Sequence, residues 1–418
     1  MRILNKVQLT PTHLILLEIA VFALAGLPFA YLFDRSGYFF NLTANVSQEI
    51  IMKAYLCTVY AFFVIIAIYY FFGADRKIRA YQDMDIAPAS KSVNVLGWAA
   101  AFLAALLCVF ILFWQSGFSH PALSARGLDM MSFAVKRIEY GRSINMNVYN
   151  VGLHFFTVFA LALALFILKN FWFTALTVIL MSVLGTFSLQ KSPLAESLLL
   201  LMFVYMLLRR PSRRFLLLLV CCMVFIVVVM FFMSGAISDL ISARYAFIDR
   251  VLYGEFGDLP YYFDFFSTSK AAFASMLPPY VQTLFGQVLP SPSRLIIEYT
   301  KPEAVLQGRA GVANTIFIGD AYAVWGMAGV ILAPFVVACH YLVVVYIFTS
   351  LKKNMLNLFI FGYLLNRLTT ALFRSFSYFL LSSIQIIIVA VIYFLAIRYF
   401  TKYAKYGHSL SYGPGSGR

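Results

Sequence analysis

The chain has 418 residues, of which 62% are hydrophobic and only 12% charged. A soluble domain carries roughly 25% charged residues, and no water-soluble core of this length could hide so much apolar surface. The formal net charge of +15 is gathered in short loops between apolar runs, which argues against a nucleic-acid-binding face and for a protein held in a membrane.

Apolar runs of about 20 residues, each long enough to cross a hydrocarbon core of about 30 Å, recur from end to end. They lie near 13–33, 50–72, 95–114, 149–168, 171–188, 192–208, 215–233, 324–349, 355–373 and 378–399. The expected fold is all-α: a polytopic integral membrane protein of about ten transmembrane helices. The first run follows a basic start and contains Glu18; it is too long for the core of a signal peptide and reads as an uncleaved helix. The pair meeting at Gln190, Lys191, Ser192 and Pro193 reads either as two helices or as one broken helix. Residues 1–233 hold the first seven spans, 234–323 a long loop, 324–405 the last three spans, and 406–418 a Gly- and Ser-rich flexible tail.

With ten spans, the basic loops fall on one side. These are Arg76, Lys77 and Arg79; Arg209, Arg210, Arg213 and Arg214; Lys352 and Lys353; and Lys402 and Lys405, together with Arg2 and Lys6. The positive-inside rule makes that side cytoplasmic, with both termini there. Acidic residues sort the other way, since only Asp75, Asp83 and Asp85 lie in these loops. Trp98, Trp114, Trp172 and Trp325 fall near span ends, as an interfacial belt requires. Cys57, Cys108, Cys221, Cys222 and Cys339 all lie within spans and read as small buried hydrophobes rather than a disulfide framework.

The 234–323 segment is the longest between spans. Aromatic stretches (Tyr261, Tyr262, Phe263, Phe265, Phe266) alternate with Pro and Gly punctuation, and 239–251 and 270–277 read as short amphipathic helices on the membrane surface. Outer-face arginines need explaining under the positive-inside rule: Arg244, Arg250, Arg294, Arg309, Arg367 and Arg374. Arg367 and Arg374, seven apart, share one helix face. An arginine beside hydrocarbon faces an anion or water, and its fork fits phosphate or carboxylate. Each could also pair with a nearby acid or reach the headgroups. Lys191, in a short outer turn, is a similar case. His154, near the outer start of the fourth span, is either a base or a satisfied buried histidine. His120, His154 and His340 have no ligand spacing, so no metal or cofactor is expected, and no nucleotide-binding motif is present.

The run Asn314-Thr315-Ile316-Phe317-Ile318-Gly319-Asp320-Ala321-Tyr322-Ala323-Val324-Trp325-Gly326-Met327-Ala328-Gly329 resembles the segment that opens a membrane helix in Wzy-type O-antigen or oligosaccharide repeat-unit polymerases. The run Gly185-Thr186-Phe187-Ser188-Leu189-Gln190-Lys191-Ser192-Pro193-Leu194 is similar to that family's Lys/Arg, Ser-Pro-Leu turn. These stretches cover about a tenth of the chain. One residue fewer intervenes between Arg244 and Gly254, and between Arg309 and Gly319, than in the family's arginine–glycine loop motif.

The resemblance implies a metal-independent glycosyltransferase of the bacterial inner membrane, with its active site facing the periplasm beneath a large periplasmic cap loop. Its substrates would be a growing glycan on undecaprenyl diphosphate and a lipid-linked repeat unit, with a chain-length regulator and a flippase as partners. Candidate bases are Asp320, Asp249 and Glu255, with capping or arginine orientation as the alternative for Asp320. Candidate diphosphate and substrate contacts are Arg244, Arg250, Arg309, Arg367, Arg374, Lys191, Tyr322 and Asn314. Two other readings stand beside it: a flippase or exporter of lipid-linked oligosaccharide, and an O-antigen ligase. A flippase would carry polar residues along both halves of its spans, whereas here they gather towards the outer face.

Overall fold

A computed structural model describes residues 10–20, 46–124, 132, 136, 139–141, 143–189, 192–209, 257–277, 279–286, 288–306, 313 and 315–382. Every regular element among them is helical. In chain order they are α1 (Pro11–Glu18), α2 (Gln48–Phe71), α3 (Ala74–Asp83), α4 (Lys91–Gln115), α5 (Met146–Leu168), α6 (Phe171–Phe187), α7 (Ser192–Leu208), α8 (Leu259–Phe265), α9 (Pro292–Thr300), α10 (Phe317–Trp325), α11 (Met327–Thr349) and α12 (Met355–Leu372), with shorter helical turns between them. Five of these, α2, α4, α5, α11 and α12, are long and apolar enough to cross a membrane, and α6 and α7 are shorter apolar helices. The chain is therefore a membrane-embedded all-α protein. The expected spans near 215–233 and most of 13–33 and 378–399 lie outside the described residues.

The long helices start where a side chain replaces the missing turn. Ser47 accepts from the Ile50 N–H at the head of α2 and Ser90 from Val93 at α4. Asn145, Asn170 and Asn354 do the same for α5, α6 and α12. Such caps satisfy donors that lipid could not. The 171–208 region is two helices, not one broken helix, because Trp98 in the first turns of α4 stacks on Phe173 at the start of α6 while α7 ends beside Lys353.

Two apolar cores hold the bundle. One lies between α4, α5 and α6, around Leu112, Leu153, Leu184 and Phe187; the other surrounds α11 and α12, with Phe62 of α2 and Phe317 of α10 packed in. Trp98 belongs to the interior rather than to a surface belt. Its ring stacks on Phe102 and Phe173, at 5.0 and 4.1 Å, and its Nε1 donates to Thr177 Oγ1 at 3.1 Å. Trp114 and Trp172 are exposed, as expected. Cys57 and Cys108 are buried, whereas Cys339 faces outward.

The helices alternate in direction, so the described basic loops gather at one end. There Lys353 Nζ donates to the carbonyls of Gln82, Met84 and Leu208, at 2.8, 2.9 and 3.2 Å. The Gln82 amide donates to Met206 O, and the Ala87 N–H to Lys353 O. Thr10 donates to Asp75, which also pairs with Arg79 at 2.6 Å. Polar side chains inside the spans close on one another: Thr12 bonds Tyr69, and Tyr341 donates to Thr369. The spans thus carry buried polar side chains, and these groups satisfy one another.

Among the described residues of the long loop, the longer helices are α8 and α9, with short helical turns at Pro279–Gln282 and Pro302–Leu306. Of 270–277, only Phe273–Met276 forms a single tight turn, and Leu277, which precedes Pro278, is extended as a following proline favours; 239–251 lies outside the described residues.

Candidate functional site

The end opposite the basic loops carries two groups of polar side chains, one on each side of α10. The first is built on Glu196, in the first turns of α7. Its Oε1 accepts from Arg374 Nη2 at 2.7 Å, and its Oε2 lies 3.8 Å from Arg367 Nη1. Arg367 is on the last turns of α12 and Arg374 just beyond its end, so the seven-residue spacing does bring both forks to one point. Arg367 is aimed by Tyr363 one turn back: its Nε donates to the phenol oxygen at 3.2 Å, and its guanidinium lies 5.2 Å from the ring centroid.

Behind Glu196 stands His154 on α5, with Nε2 3.8 Å from Oε2. Its Nδ1 is 3.0 Å from Ser197 Oγ, and that hydroxyl also lies 2.9 Å from Pro193 O. Sending the Ser197 proton to Pro193 and the Nδ1 proton to Ser197 satisfies all three groups and leaves Nε2 as an acceptor facing the carboxylate. Exposure grades outward: the His154 side chain is 2% exposed, Glu196 15%, Arg367 19% and Arg374 43%. The cluster is a well with cations at its mouth and a carboxylate and imidazole at its floor. Two guanidinium forks therefore meet one carboxylate, an arrangement that suits an anionic ligand. Tyr149 closes one side by a 3.0 Å hydroxyl contact with Ser188.

Asp320 sits on α10 and is fully buried. Its Oδ2 accepts from the Ser375 hydroxyl and, at 3.2 Å, from the Phe376 N–H, tying α10 to the turn that carries Arg374. The Tyr262 hydroxyl faces the same carboxyl, yet neither it nor Oδ1 makes a hydrogen bond of good geometry. Burial pushes this carboxyl up to about 6, against the opposing pull of the Ser375 and Phe376 donors. Asp320 does not cap the helix that starts nearby, since α11 has Gly326 at its cap position and no side-chain cap bond; its contacts run to the Ser375–Phe376 turn.

Tyr322, two residues on, points to the other side of α10. Its ring stacks on Phe263 of α8 at 4.2 Å and 17°. Lys270 and Lys53 hold their ammoniums 4.7 and 5.7 Å from its centroid. Arg294, on α9, pairs with Glu298 one turn later at 2.7 Å.

Of the residues singled out in the sequence, Arg367, Arg374, Asp320 and Tyr322 come together around α10. Asp249, Glu255, Arg244, Arg250, Arg309, Asn314 and Lys191 lie outside the described residues. Glu196 and Lys53 were not singled out. For Glu196 the signal was present: a carboxylate inside an otherwise apolar helix calls for a partner or a function. No family model, curated protein or solved structure matches the chain.

Proposed function

We propose that the chain polymerises lipid-linked oligosaccharide repeat units, as a membrane glycosyltransferase whose donor is a glycan on undecaprenyl diphosphate. The observation that carries this reading is the convergence of Arg367 and Arg374 on Glu196 at the end of the bundle away from the basic loops. The resemblance of the 314–329 run supplies the reaction class. By the positive-inside rule the basic end is cytoplasmic, which puts the arginine well on the periplasmic side of the inner membrane.

In this reaction the bond between the anomeric carbon and the diphosphate oxygen breaks while a bond forms from the acceptor hydroxyl oxygen to that carbon. Negative charge grows on the departing diphosphate, and fixed guanidiniums stabilise it there. Glu196 holds the two forks in place before substrate arrives. A diphosphate, carrying more charge than a carboxylate, takes Arg374 from it. The freed carboxylate then accepts the hydroxyl proton, with His154 Nε2 behind it as the onward acceptor. Arg244, Arg250, Arg309, Asn314 and Lys191 complete the proposed substrate contacts, and Asp249 and Glu255 are rival bases to Glu196. The flippase and ligase readings remain as alternatives that experiment separates.

The test uses the purified full chain in nanodiscs with lipid-linked repeat units as the only glycan. A ladder of multiples is expected. Arg374→Gln is expected to slow it about a hundredfold, the usual cost of removing one transition-state donor, and Arg374→Lys to restore part of it by charge without the fork. Absence of any ladder from the unaltered chain would sink the proposal.

A further inference from the structure

Two ammoniums converge on the Tyr322 ring, one from α2 and one from the segment after α8. The ring face attracts both ammoniums, and the positive charge they bring to one place favours an anion beside them. Among the described residues neither lysine makes an ion pair; Glu49, one turn before Lys53 on the same helix, does not reach it. Both side chains are exposed, and among the described residues Lys270 donates one hydrogen bond and Lys53 none.

Lys270 is nevertheless fixed in place. Its Nζ donates to Phe266 O at 3.2 Å, and the next residue, Ala271, donates its N–H to Ala323 O of α10 at 2.9 Å. Gly326 makes room for the ammonium, since a Cβ at that position would lie 2.7 Å from Nζ. Apolar side chains near them in the chain are exposed: Met52 and Leu56 on α2, Phe273 three residues after Lys270, and Trp325 next to Gly326. Two exposed ammoniums with exposed apolar side chains near them suit a phosphate carried on a hydrocarbon tail.

The position relative to the arginines adds a second observation. Residues two apart on a helix point roughly 200° apart, so Asp320 faces the Ser375 turn that carries Arg374 while Tyr322 faces the lysines. Helix α10 thus stands between two cationic groups. A reaction that joins two lipid-linked molecules brings two diphosphates to one protein, and one arginine pair cannot hold both.

We infer that Lys53 and Lys270, over Tyr322, form a second anion site, one that takes the diphosphate of the other lipid-linked substrate. The identity of that lipid rests on the polymerase reading; the existence of the site rests on the lysines alone.

Native mass spectrometry of the full chain in nanodiscs with added undecaprenyl diphosphate tests it. Two copies are expected to bind the unaltered chain, and one to bind Lys53→Gln/Lys270→Gln, with binding at the lost site weakened at least about tenfold. Lys53→Arg/Lys270→Arg is expected to keep both, which separates charge from folding, and Arg367→Gln/Arg374→Gln to lose the other copy. Inorganic pyrophosphate should compete at both sites. Two copies on the double glutamine variant would overturn the inference. So would displacement from the lysine site by phosphatidylglycerol as readily as by undecaprenyl diphosphate, because the site would then be a general headgroup contact. If the glycan ladder fails but the lysine variant still loses one copy, the site stands and the polymerase reading falls. A ladder with lysine-independent stoichiometry gives the reverse.

Discussion

Asp320 shows how a residue can be legible in sequence while its role is not. Its position between Gly319 and Tyr322 marked it as special, but local sequence could not show that its carboxyl turns towards Ser375 and Phe376, more than fifty residues on. Glu196 was harder to see, because its partners Arg367 and Arg374 come from another helix and only folding brings them together. Since burial raises the Asp320 carboxyl from 3.8 to about 6, the folded state holds its proton more tightly than the unfolded chain does. Stability from this group is therefore fully present below 3.8 and declines as pH rises through about 6. Thermal denaturation in detergent should show that decline, and Asp320→Asn, which keeps an acceptor for both donors, should flatten it. The same variant is expected to retain polymerisation; loss of polymerisation with normal stability would return Asp320 to the role of base.

At the scale of elements, the glycines of the 314–329 run have a structural explanation. Gly326 joins α10 to α11 at φ 60° and ψ −142°, a conformation only glycine adopts without strain. At Gly329 a Cβ would lie 2.1 Å from the Ala321 carbonyl oxygen, so α11 starts in direct backbone contact with α10. The motif is a sharp break that sets one helix against the next, with Asp320 and Tyr322 on opposite sides. Gly329→Ala should force the two helices apart and lower the denaturation temperature of the purified chain, with loss of both cationic sites; an unchanged denaturation temperature would contradict the contact. At the other end, Lys353 ties two further segments to its own loop, through the carbonyls of Gln82 and Met84 in one and Leu208 in the other. Burial brings its ammonium down to about 8, although Asp83 and Asp85 support the charge. Lys353→Met leaves three carbonyls without that donor and should destabilise the chain by about 3 kcal/mol, at about 1 kcal/mol or more each, measurable as a lower midpoint in thermal unfolding. The lysine was legible as a basic loop residue, but its burial was not, because the loops it joins are distant in sequence.

At the scale of the whole molecule, the apolar runs and the gathering of the described basic loops at one end could be read from sequence, because lipid imposes length and polarity on each helix in turn. The long outer segment was less legible, since its short helices α8 and α9 depend on packing against α2 and α10 rather than on a periodic pattern. Function rests on the two cationic groups around α10 and on the 314–329 resemblance, and the competing readings differ in what the cell displays. Deleting the gene and resolving the surface glycan by gel electrophoresis is the most direct measurement of the central claim. Surface glycan of single repeat units only, restored to a ladder by the unaltered gene but not by one encoding Arg374→Gln, is the expected result. A deletion strain with a normal ladder, with no repeat units at all, or with polymer that is made but not attached would contradict it.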